Sequence, residues 1–220
     1  MSTTLYQSDL SPFAGRVRIQ IRAKGLTGIA VEKAPGGTGS DEFKRINPTG
    51  KIPVLMVDGV AIAESQTICD YLEDRYPTPS LWPDDLLARA QARLITRATD
   101  LYVCAPMFQT TAHASKKVRD QAFVDARLAE LKKGLETIDQ YRANSSLATG
   151  IYAIGSRLTL ADAALAPTLF FVANFAATVF ARDDLMSASM QGYFTAVQKD
   201  PHVAPVLADM AAALAALRGK

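Results

Sequence analysis

Two cysteines and two histidines are all that the 220 residues supply of the side chains most used for metal binding and imidazole chemistry. A zinc site or an imidazole-based catalytic triad is therefore poorly provided for. Cys69 and Cys104 each sit in an apolar stretch with no second cysteine at metal or redox spacing, so neither a disulfide framework nor a CxxC motif is indicated. Charge of one sign is also scarce: 24 basic residues face 22 acidic ones, a formal net charge of +2, and no lysine or arginine run is long enough to track phosphates. Nucleic acid is not an expected partner. No apolar run approaches the length of a membrane span, and "MSTTLYQSDLSPF" lacks the charged start and apolar middle of a secretory signal. The expectation is a cytoplasmic protein with no membrane association.

What the chain does have is 49% apolar and 21% charged residues, enough for one large domain or two small ones around real cores. The first eighty or so residues alternate. "TTLYQ" reads as a strand, Ser11 to Lys24 as a helix, "GIAVEKA" as a strand and "DEFKRI" as a short helical piece. "PVLMVDGVAIAE" gives two apolar runs split by Asp58-Gly59, the dipeptide of a tight hairpin turn. A helix from Ser65 to about Tyr76 follows, with Ile68, Leu72 and Tyr76 on one face. In "YPTPSLWPDD" three prolines prevent regular structure, so a linker and a domain boundary are placed there, with domains of 1–82 and 83–220.

Beyond the boundary the periodicity is helical throughout. Val124, Leu128, Leu131, Leu135 and Ile138 form one apolar stripe. A long helix is expected to start near Asp84 and to be kinked or ended by Pro106 in "VCAPMF". Thr159 and Asp162 in "SRLTLADAALAP" have the spacing of a capping box. The expected fold is thus α/β with a mixed sheet, followed by an all-helical domain. "PGGTGS" is a flexible loop without the lysine of a phosphate-binding loop.

Three local features carry chemistry. Ser11-Pro12 follows the first strand and reads on its own as an ordinary helix start. "NPTGKIPVL" puts Ile52-Pro53 just before a strand. "AESQTICDYLEDRYP" puts Glu64-Ser65 at the start of a helix that directly follows a strand, where Ser65 again reads as a possible cap.

Taken together, in order and in spacing, these features resemble the glutathione site of the cytosolic glutathione transferases, and the resemblance covers the whole chain. It implies a thioredoxin-like N-terminal domain and glutathione as co-substrate. "GRVRIQIRAKGL" further resembles the zeta class, whose Ser-Ser-Cys entry is here Ser11-Pro12-Phe13. "SPFA" also resembles the Cys-Pro-Phe-Cys entry of omega-type relatives with both sulfurs replaced, which removes the nucleophile of thiol–disulfide exchange.

The resemblance implies a cis bond at Pro53, although X-Pro bonds are mostly trans, so that the Ile52 backbone would pair with a peptide ligand like an added strand. Ser65 and the amides around it would receive the γ-glutamyl carboxylate at a helix N-terminus, and Glu64 the neighbouring ammonium. Lys51 could meet the glycyl carboxylate, or be a solvated surface lysine; Phe13 could wall the site. Ser11 would donate a hydrogen bond to the glutathione sulfur. A free thiol with pKa near 8.5 is only ~3% ionised at pH 7; a drop of ~2 units, about 2.7 kcal/mol, would leave most of it as thiolate. Capping and activation are compatible, since the hydroxyl oxygen can accept while its proton points elsewhere.

A hydrophobic second substrate is expected between the domains, over Tyr102, Met107, Phe108 and Thr111, and a homodimer is implied. The expected reaction is transfer of glutathione to a hydrophobic electrophile. A glutathione-dependent isomerase, an ether or halide lyase, and a non-catalytic binding module remain alternatives.

Overall fold

The computed structural model describes residues 2–147 and 150–218. The short β-branched and apolar runs of the first third form four strands, Thr3–Tyr6 (β1), Ile29–Glu32 (β2), Val54–Val57 (β3) and Val60–Ala63 (β4). They make one mixed sheet in the order β2-β1-β3-β4, with β1 and β2 parallel and the other neighbours antiparallel. The β3–β4 hairpin turns on Asp58 and Gly59, both at positive φ, 47° and 86°. Alternation along the strands gives the sheet two apolar faces. Val54 packs with Phe43 and Ala34, flanked by Tyr6, Met56 and Ala63, while Leu5 and Leu55, one residue out of phase, are fully buried on the opposite side.

Three helices complete this region: Pro12–Ala23 (α1), Asp41–Lys44 (α2) and Ser65–Arg75 (α3). The hydroxyls of Ser11 and Ser40 cap α1 and α2, and α3 covers β3 and β4. Helices α1 and α3 pack side by side in parallel, as their cross-contacts advance together. Arg16 Nη1 lies 3.5 Å from Gln66 Oε1, and Gln20 Nε2 donates to Cys69 O at 2.9 Å and Glu73 Oε1 at 3.0 Å. Farther along, Lys24 Nζ donates to the carbonyls of Tyr76 and Pro79, both at 2.7 Å, and pairs with Glu73 at 2.9 Å. Lys24 is sealed from solvent with each of its ammonium protons accounted for. Its two carbonyl bonds fasten the proline-rich segment, so the expected linker is anchored at this point.

The chain divides into two compact units, Met1–Leu81 with Pro201–Lys220, and Trp82–Asp200. The sequence placed the last twenty residues with the helical domain; the structure groups them with the sheet. The helix Ala204–Arg218, called α10 once the intervening helices are numbered, buries Val206, Leu207 and Met210 and packs on α1. Those positions lie on one face at helical spacing, so an apolar stripe that periodicity detects finds its partner in the first unit.

In the second unit the helices are Leu86–Ala98 (α4), Ala105–Gln109 (α5), Gln121–Ala143 (α6), Leu160–Phe171 (α7), Ala177–Phe180 (α8) and Ala188–Val197 (α9). Asp85 caps α4, one residue beyond the expected start. Pro106 neither ends nor sharply breaks the run: residues Thr99–Cys104 widen into a π segment that joins α4 to α5. Proline has no N–H for the carbonyl of Tyr102, four residues back. That carbonyl lies against Gly134 of α6, where an added Cβ would stand 2.2 Å from the oxygen, so only glycine admits the approach. The predicted α6 stripe, Val124 to Ile138, is buried as expected.

One expectation is corrected. Leu160–Phe180 is a continuous helical run of 21 residues that is long and apolar enough to cross a membrane by length and composition, where the sequence reading found no such run. Its apolar character has a structural cause, because more than half of its most apolar stretch is buried inside the helical unit.

Candidate functional site

Three strand ends meet in one transverse row of the sheet. Tyr6, the last residue of β1, pairs with Val54, the first of β3, and Val54 pairs with Ala63, the last of β4. The residues singled out by sequence lie just beyond this row: the turn leading to Ser11 after Tyr6, Ile52-Pro53 before Val54, and Glu64-Ser65 after Ala63. Register alone therefore brings the three motifs to one end of the first unit. Because α1 and α3 run parallel, their N-termini, with their partial positive charges, sit at that same end.

Ser11 is the half-buried N-cap of α1, in an extended conformation, and its Oγ accepts from the Ala14 N–H at 3.3 Å. The oxygen is engaged by the helix. Its proton has no acceptor among the described residues. Phe13, half-buried, lies in the first turn of the same helix.

The Ile52-Pro53 peptide is cis, and Pro53 is buried. Among the described residues, the N–H and C=O of Ile52 have no hydrogen-bond partner. The approach to this peptide is held by a residue that sequence reasoning passed over. Asn47, 4% exposed, donates through Nδ2 to the Lys51 carbonyl at 2.8 Å, and its own carbonyl accepts from the Gly50 N–H at 2.8 Å. The signal for it was the turn-forming "NPTG" itself. Lys51 is exposed.

Glu64 and Ser65 open α3 in an unusual way. Glu64 has φ 65° and ψ 116°, a region costly for any residue with a side chain, and its exposed carboxylate makes no ion pair among the described residues. No side chain caps the helix. The backbone amides of Ser65, Gln66 and Thr67 and the Ser65 hydroxyl find no acceptor among the described residues, although Ser65 is only 7% exposed. Such an end offers its open amides as donors to an anion.

The four residues expected around a hydrophobic substrate are not gathered on one surface. Tyr102 is exposed and lines a cavity of about 450 Å³ with Leu101, Pro106, Lys133 and Tyr141. Met107 is 1% exposed and belongs to the core of the helical unit, its long side chain filling space between helices rather than facing an opening. Phe108 is half-buried and stacks on Phe171, with ring centres 5.2 Å apart and planes at 18°; Phe171 stacks in turn on Phe175 at 5.1 Å and 16°. Thr111 is exposed and donates to the Phe108 carbonyl. Phe171 and Phe175 escaped notice in the sequence, where their spacing of four was readable only as helical packing.

The capping box at the start of α7 forms as predicted. Asp162 is completely buried and accepts from the Ala153 N–H, the Thr159 N–H and hydroxyl, and the Tyr193 hydroxyl. Burial pushes its carboxyl up, and these donors pull it back.

The chain is similar to known proteins over both of its units. Residues 5–80 match the family model described as glutathione S-transferase, N-terminal domain, and residues 121–194 the one described as glutathione S-transferase, C-terminal domain. The chain is 31% identical over 176 residues to glutathione S-transferase Z2 of Arabidopsis thaliana, covering 77% of this chain and 76% of that one. It is 29% identical over 167 residues to maleylacetoacetate isomerase of Rattus norvegicus, covering 74% of each. A glutathione S-transferase from Methylobacterium radiotolerans, solved with glutathione sulfonate, superposes with a TM-score of 0.73 over 93% of this chain and 94% of that one, at 22% identity.

Proposed function

The chain belongs to the glutathione S-transferase family, and from that premise we propose that it is an enzyme that activates the thiol of glutathione with Ser11 for attack on a hydrophobic electrophile. The observation that carries this reading is the Ser11 hydroxyl. Its oxygen is occupied by the Ala14 amide, leaving the proton to be given away at the end of the unit where α3 starts without a cap. The N–H and C=O of Ile52, without a partner among the described residues, suit the cysteinyl backbone of a peptide. The α-carboxylate of the γ-glutamyl unit fits the open amides and hydroxyl at Ser65, and its ammonium fits the Glu64 carboxylate beside them. Lys51 would offset the glycyl carboxylate.

Ser11 is a hydrogen-bond donor to the nucleophile, and the sulfur is what attacks. Together with the positive end of α1 it is assigned a drop of ~2 units in the thiol pKa, about 2.7 kcal/mol. In transfer, the carbon–sulfur bond forms as a leaving group departs with its electron pair or as a double bond accepts the electrons and then a proton. We place the protein in the cytoplasm, in detoxification of such electrophiles. Exposed Leu87 and Leu94, two turns apart on α4, with exposed Leu101 beyond them, support a homodimer.

The test is conjugation of glutathione to a chlorinated nitrobenzene by the native chain and by Ser11→Ala, with ultraviolet titration of the bound thiol. Equal rates would remove Ser11 from the mechanism. Binding of glutathione without turnover in either would favour a binding module. A second reading, isomerisation by reversible addition of the thiolate to a maleyl diketo acid, is supported by the similarity to the isomerase of Rattus norvegicus. Turnover of that substrate with glutathione neither consumed nor appearing in the product would select it.

A further inference from the structure

The turn that delivers Ser11 is held from outside. Ser8 to Ser11 is a β-turn closed by the Ser11 N–H on the Ser8 carbonyl at 3.0 Å, and Asp9 is its first corner residue. The Asp9 carboxylate accepts from Gln7 Nε2 at 2.9 Å and lies 3.1 Å from Arg18 Nη1, a charge contact without an aligned hydrogen bond. Arg18 lies two turns along α1 from the residue that caps it. The other arm of the same guanidinium, Nη2, donates to Asp209 on α10. One arginine, its side chain only 15% exposed, thus bridges the turn before Ser11 and a helix about 190 residues away in sequence.

We infer that Arg18 and Asp209 are positioning residues for Ser11: α10 acts through the guanidinium fork and Asp9 to hold the turn in register with α1. This inference rests on the role proposed above for Ser11. The carboxylates are half exposed, 52% and 54%, so the bridge adds little to stability. Its effect lies in geometry. A hydrogen bond from one hydroxyl to one sulfur tolerates displacements of only about 0.5 Å, and the rest of the turn is tied to the sheet by the Gln7 N–H on the Glu32 carbonyl. Arginine suits the task because one arm donates to Asp209 while the other keeps its share of the charge against Asp9, whereas a lysine is a single point charge.

The experiment uses the full chain and the variants Asp209→Asn, Arg18→Gln and Arg18→Lys, with Ser11→Ala as reference. It measures the ultraviolet titration of bound glutathione thiol, the glutathione Kd and the thermal midpoint. In Asp209→Asn and Arg18→Gln the thiol titration is expected to move up by about half a unit, with about a threefold loss of conjugation rate below the native midpoint. Kd should change less than twofold and the thermal midpoint hardly at all. Arg18→Lys, which keeps the charge and loses the fork, should recover part of the shift. Titrations of Asp209→Asn and Arg18→Gln that coincide with the native curve, while Ser11→Ala loses the depressed thiol, overturn the bridge alone. A native thiol no more acidic than in buffer overturns the thiolate role of Ser11, and the bridge with it.

Discussion

Two helix starts, one in each unit, make opposite use of the same chemistry. At α7 the cap residues satisfy one another: a fully buried aspartate gathers two amides and two hydroxyls and closes the helix start with protein groups. At α3, among the described residues, no side chain caps the helix and a nearly buried serine keeps its hydroxyl unpaired, while the preceding glutamate is held at φ 65°. The two motifs draw on the same residue types, a small hydroxyl residue and an acid, three apart at Thr159 and Asp162 and adjacent at Glu64 and Ser65. Satisfaction marks the first as architecture. Its absence, at an end where backbone strain is also accepted, marks the second as a place for something else.

The contrast is open to several tests. Asp162→Ala should have the largest effect, about 4 kcal/mol or more of lost stability in urea unfolding, because it orphans several buried donors at once. If it costs less than about 1 kcal/mol, α7 is not the saturated cap described. Ser11→Ala mixes both uses: about 1 kcal/mol of stability for the lost cap, and up to about 25-fold in conjugation rate near pH 7, as the thiolate share falls from ~76% toward ~3%. Ser65→Ala should leave stability within about 0.5 kcal/mol, as its hydroxyl caps nothing, yet weaken glutathione binding about tenfold, ~1.4 kcal/mol. The reverse pattern, lost stability with unchanged binding, would make α3 a second α7. Glu64→Gly should relieve the strained φ and raise stability by about 1 kcal/mol while raising the KM for glutathione.

The smallest effect concerns pH. Burial, followed by the hydrogen bond to Asp200, holds the Tyr152 phenol up to about 12. The folded state thus favours the neutral phenol, so its stabilising share is intact below the ordinary value near 10 and fades as pH rises from 10 to 12. Stability measured across that window should fall less steeply in Tyr152→Phe.

Much of this was readable in advance. Strand alternation, the Asp58-Gly59 turn, the Ser11 and Asp162 caps and the α6 stripe are short-range patterns, decided by a residue and its immediate neighbours, and they form where they were expected. The three motifs proposed to hold glutathione were legible because each straddles a strand end. Their convergence was not, since it depends on the pairing of Tyr6 with Val54 and of Val54 with Ala63. The helical surface was the least legible part. Met107 and Phe108 are adjacent in sequence, yet one is core and the other joins an aromatic stack, because periodicity tells which side a residue faces and not what waits there. Asp209 was invisible for the same reason: nothing local announces that α10 returns to the first unit.

That return has a consequence for synthesis. The first unit is discontinuous, with the whole of Trp82–Asp200 inserted between its pieces. On the ribosome, the sheet and α1 emerge early, but Val206, Leu207 and Met210 leave the exit tunnel only after every helix of the second unit has been translated. The N-terminal lobe is thus begun first and finished last, and its apolar α1 surface must wait, uncovered, through the manufacture of its neighbour.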